Sequence, residues 1–139
     1  MSNNLSHHKI WDIIKIVELC GDGDIRIVSH KKFIKGDDDS LARMGIYIYV
    51  ACAQDDNGKC YALAAPDIAR RARQSVGETR DYHLIFENCH MFTEYCINGK
   101  RDGGGILVSV ELALQEKFNL TPSNTLLSMW RSTGIAFDD

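Results

Sequence analysis

No stretch of this 139-residue sequence comes near the roughly 18 consecutive apolar residues that a membrane-spanning helix needs. The longest candidate, Ile106 to Leu114, is broken by Ser109 and Glu111. Any action on lipid is therefore expected from the interface, not from within the bilayer. Residues 1–8 are polar, so no apolar secretory signal is read there. Positive charge is in short supply: 16 Lys and Arg face 19 Asp and Glu, for a formal net charge of −3. The basic clusters, Lys31-Lys32 and Arg70-Arg71-Ala72-Arg73, read as solvated faces, and nucleic acid is not an expected partner. No two of the five cysteines (20, 52, 60, 89 and 96) have the two-residue gap of a zinc knuckle or redox motif, and their number is odd. Cys89, His90 and Cys96, even joined with Cys52 and Cys60, fit no zinc spacing, so neither metal nor cofactor is expected. The cysteines read as free thiols of a reducing, cytoplasmic protein. There is no internal repeat and no low-complexity tract.

What remains is an ordinary globular balance, 45% hydrophobic and 25% charged, in a length suited to one domain over 1–139. Residues 10–19 are β-branched and aromatic and predict a strand or a tight pair of strands, and Ile25 to Val28 predicts another. Ser29 caps a short helical turn. Gly45 to Ala53 is the strongest strand signal, and Asn57-Gly58 turns it into a return strand, Lys59 to Leu63. Pro66-Asp67 opens a helix with Ile68, Ala69, Ala72 and Val76 as its stripe and Gly77 as its end. A further helix runs through Asn88 to Asn98 and closes at Gly99. Ile106 to Phe118 predicts another helix, although its start, Ile106 to Val110, also suits a strand, and Thr121-Pro122 opens a last helix through Leu126, Leu127 and Trp130. Strands early and helices late predict an α+β fold.

Cys89 occupies the first turn of its helix. Unpaired backbone N–H groups and the helix dipole favour negative charge there. A thiol so placed gives up its proton more readily, and the thiolate is the nucleophile. The same N–H groups can hold an oxyanion when the thiolate attacks a carbonyl. The base must come from elsewhere in the fold. Position alone also suits a buried structural cysteine sharing a stripe with Phe92 and Cys96.

The segment around Cys89 resembles the lecithin retinol acyltransferase-like domain. The resemblance is carried by Ala72, Gly77, Glu78, Tyr82, Asn88, Cys89, Phe92, Cys96 and Gly99, and upstream by Val28-Ser29 through Phe33 and Gly36. His7-His8-Lys9-Ile10-Trp11 is similar to that family's histidine-containing strand, with Lys9 in place of a glycine, and Ile16 to Cys20 to its second strand. His90 stands where the family has a glutamate.

The resemblance implies a single papain-like, NlpC-type α+β domain. Its antiparallel sheet packs on helices, the nucleophile sits at a helix N-terminus (helix about 87–98), and the histidine strand spans about 7–19. It implies Cys89 as nucleophile, His7 as base and Glu18 as the residue that fixes the tautomer of His7, with His8, Asn88 and His90 as secondary candidates. An acyl group would pass to Cys89 as a thioester and then to water or an acceptor. The implied partner is a lipid or other acyl donor, met at a membrane surface. A papain-like peptidase or amidase, and a catalytically inactive binding module on the same fold, are the alternatives. Ile106 to Trp130 is expected to complete the core or to cover an acyl groove.

Overall fold

The computed structural model describes residues 15–35, 47–82, 88–120 and 130–136. Among these, five strands and four helices follow in the order β1 (Ile16–Leu19), β2 (Ile25–Val28), α1 (His30–Lys35), β3 (Tyr47–Gln54), β4 (Cys60–Ala62), α2 (Pro66–Ser75), α3 (Cys89–Asn98), α4 (Leu107–Lys117) and β5 (Trp130–Ala136). The α+β class is as expected, with antiparallel pairing throughout.

β1 and β2 form a two-stranded sheet in which Leu19 lies opposite Ile25 and Ile16 opposite Val28. Ile25 and Val28, at the two ends of β2, are buried, whereas Ile27 is 50% exposed. The segment after α2 runs along β2. Ile25 donates its N–H to Glu78 O, Gly77 donates to Ile25 O, and Arg80 donates to Gly23 O. At Gly23, with φ of +92°, a β-carbon would sit 2.0 Å from the Arg80 carbonyl oxygen, so only glycine fits.

The second sheet has the order β4-β3-β5. The Asn57-Gly58 turn is reinforced by Asp55, whose carboxylate accepts the backbone N–H groups of Asn57 and Lys59 at 2.9 Å. Trp130 corrects the expected last helix: it begins a strand, opposite Ala51 of β3. The run Trp-Arg-Ser-Thr-Gly-Ile-Ala mixes aromatic and β-branched residues with a glycine, which suits a pleated surface better than a helix. Residues 121–129 lie outside the described residues.

Ser29 caps α1 as expected, its hydroxyl accepting the Lys32 N–H at 3.1 Å. In α2, Ile68 and Ala72 face the core, but Ala69 and Val76 are exposed, and the buried residue of the last turn is Ser75. The basic cluster also divides. Arg70 and Arg73 are exposed, whereas Arg71 donates to the carbonyls of Cys96 (2.7 Å) and Ile97 (3.1 Å), satisfying the last turn of α3.

Helix α3 is the hub. Phe92 and Cys96 pack on Leu19 and Ile25 of the first sheet. Ile97 packs on Val110, Ala113 and Leu114 of α4, and Trp130 and Ala51 of the second sheet close on that cluster. The helix ends at Gly99, whose φ of +76° is the left-handed cap that glycine adopts without strain.

Candidate functional site

Asn88 and Cys89 open α3. Asn88 is 5% exposed, its side-chain oxygen accepts the Met91 N–H at 3.1 Å, and its amide donates to the Gly105 carbonyl at 3.0 Å. It is therefore an N-cap that also grips the loop ahead of α4. The helix phase then brings Cys89, Phe92 and Thr93 to one face, with His90 at its edge.

That face walls a cavity of about 440 Å³. The apolar walls come from four further elements: Val17 and Leu19 from β1, Phe33 from α1, Leu107 and Val110 from α4, and Trp130 from β5. The polar groups are Glu18, Cys89, His90 and Thr93. Thr93 is committed to the backbone, since its hydroxyl donates to the Cys89 carbonyl at 2.9 Å. Glu18 is 5% exposed. The structure thus brings Cys89, Glu18 and His90 to one cavity. It sets Asn88 beside that cavity as a cap. His7 and His8 lie outside the described residues.

The five thiols differ in accessibility. Cys20, Cys52 and Cys96 are buried, Cys60 is exposed and Cys89 is half-buried. Burial pushes the Cys96 thiol up to about 11 and also raises Cys52. Cys89 alone of the five opens a helix and lines the cavity.

One buried group that shapes the site is not among the candidates expected from the sequence. Glu94, 4% exposed, accepts the N–H groups of Gly104 (3.2 Å) and Gly105 (3.0 Å) and the Ser109 hydroxyl (3.0 Å). Ser109 in turn accepts the Ile106 N–H at 3.1 Å, which starts α4. Asn88 and Glu94 together anchor the glycine loop and so fix where Leu107 and Val110 stand opposite Cys89. A β-carbon at Gly103 would lie 2.6 Å from the Glu94 carboxylate, so glycine is required for this approach. The hint available in sequence is the spacing: a glutamate on the helix ahead of three consecutive glycines.

No helix among the described residues is long and apolar enough to cross a membrane. Among the described residues, no three His, Cys, Asp or Glu side chains converge as a metal site.

A family model described as lecithin retinol acyltransferase matches residues 23–102. The matched span takes in β2 through α3, including Asn88, Cys89 and His90, and begins after Glu18 and His7. No curated protein and no solved structure matches the chain.

Proposed function

The chain belongs to the lecithin retinol acyltransferase family, and on that footing we propose that it moves acyl groups through a thioester on Cys89. The observation that carries the proposal is the shared cavity. Cys89, at the positive end of α3, and Glu18, on β1, wall one chamber of about 440 Å³ whose other walls are mostly apolar. A chamber of that volume is within the range of small-molecule sites, and its lining suits a hydrocarbon tail.

The steps follow from the groups. His7 takes the thiol proton, and Glu18 accepts a hydrogen bond from the other ring nitrogen and fixes the tautomer. Sulfur attacks the acyl carbonyl of a lipid ester, free N–H groups of the first turn stabilise the oxyanion, and the C–O bond breaks as His7 returns its proton to the leaving alcohol. Water or a second acceptor then takes the acyl group from sulfur. The donor is a lipid presented at a membrane surface, to a single papain-like domain that works from the cytoplasmic side.

The test is selective alkylation. Iodoacetamide at pH 6, followed by peptide mapping, should label Cys89 ahead of the other four thiols, and His7→Ala should abolish that preference. Slow and equal labelling of all five would leave a binding module as the better reading.

A further inference from the structure

The proposed thioester must be discharged by an acceptor that stands inside the same cavity, and a proton must leave that acceptor as it attacks. His90 is the histidine among the residues lining the cavity. Its neighbour Cys89 lies about 100° away around the helix. That angle turns the imidazole away from the Cys89 sulfur itself, yet both residues line the cavity. A molecule attacking the thioester has to enter this same cavity.

The other polar groups lining the cavity are poorly suited to this step. The Thr93 hydroxyl is engaged with the Cys89 carbonyl at 2.9 Å, and a hydroxyl is a weak base. Glu18 lies on β1 at 5% exposure and has its proposed place as the partner of His7. Among the described residues no hydrogen bond holds the His90 ring, which leaves its nitrogens open to a ligand in the cavity.

We infer that His90 is the general base for the acyl acceptor, a second acid–base group separate from the one that activates Cys89. The inference rests on the thioester reading. In the step, an acceptor hydroxyl, or water, forms its C–O bond to the thioester carbonyl while a His90 ring nitrogen takes the hydroxyl proton. The tetrahedral intermediate collapses, the C–S bond breaks and Cys89 leaves as a thiolate. His90 then releases its proton to solvent, and the Cys89 thiolate regains a proton through His7, restoring both groups.

The experiment uses p-nitrophenyl octanoate with the full chain, following p-nitrophenolate release and the mass of the intact protein. In the wild type, octanoyl-Cys89 forms and turns over. In His90→Ala and His90→Gln, octanoyl-Cys89 should form at the wild-type rate but decay at least tenfold more slowly, so that the adduct accumulates. Added imidazole should restore decay in His90→Ala, which a purely structural role would not allow. Unchanged decay in both variants, or equal slowing of formation and decay without imidazole rescue, overturns the role of His90 while leaving the thioester in place. Absence of any octanoyl-Cys89 in the wild type overturns the thioester reading and this inference with it.

Discussion

Asn88 donates its side-chain amide to the carbonyl of Gly105 at 3.0 Å, and this bond joins the start of α3 to the loop that launches α4. Both the cap and the grip depend on one side chain, so its loss has two separable effects. Asn88→Ala removes an N-cap, worth about 1 kcal/mol, and leaves a buried carbonyl unsatisfied, worth about 1–3 kcal/mol. The expected loss of about 2–4 kcal/mol is readable by urea unfolding. Asn88→Asp keeps the cap acceptor but turns a carboxylate oxygen toward the Gly105 carbonyl. It should therefore recover the capping part and not the rest.

Glu94 holds the same loop from the other side. Its three donors are Gly104 N–H, Gly105 N–H and the Ser109 hydroxyl, at 3.0–3.2 Å. Hydrogen bonds to a charged acceptor contribute about 1.5–3 kcal/mol each when buried. Glu94→Ala should cost at least about 2 kcal/mol by the same unfolding assay. It should also slow acylation of Cys89, because Leu107 and Val110 shift with the loop. A variant as stable as the wild type would show that water replaces the carboxylate.

The helices around the site were readable from local signals. Asn88 and Gly99 bracket α3, Pro66 and Gly77 bracket α2, and Ser29 starts α1; each is a short-range steric or hydrogen-bonding preference. Asn57-Gly58 marks the β3–β4 hairpin for the same reason. The β5 strand was not readable, because Trp130 pairs with Ala51 far away in the chain and Trp-Arg-Ser-Thr-Gly-Ile-Ala keeps no strict apolar–polar alternation. Arg71 reads as part of a solvated face, and its bonds to the end of α3, like the burial of Glu94, come from packing between elements distant in the chain. The convergence of Cys89 with Glu18 followed from the resemblance, whereas the place of His90 on the cavity wall follows from the width of the face that α3 presents.

The thiols should separate cleanly in a reagent titration. Cys60 is exposed and Cys89 half-buried, while Cys20, Cys52 and Cys96 are buried. At pH 8, the two accessible thiols should react in the folded protein and the other three only after unfolding. Burial pushes Cys96 up to about 11, above the ordinary thiol value of about 8.5. Between those values the folded state holds a proton that the unfolded state has lost, so stability falls as pH rises from about 8.5 to about 11. Below that window the contribution is constant. Cys96→Ala, whatever its cost in packing, should flatten this alkaline decline in pH-dependent unfolding.

The Cys89 sulfur is the proposed carrier of the acyl group. The most direct measurement is peptide mapping of the acid-quenched protein after reaction with p-nitrophenyl octanoate. A single octanoyl group on the peptide containing Cys89, released by neutral hydroxylamine and missing from Cys89→Ala, is the predicted result. An unmodified Cys89, or an acyl group carried instead by Cys60, would contradict it.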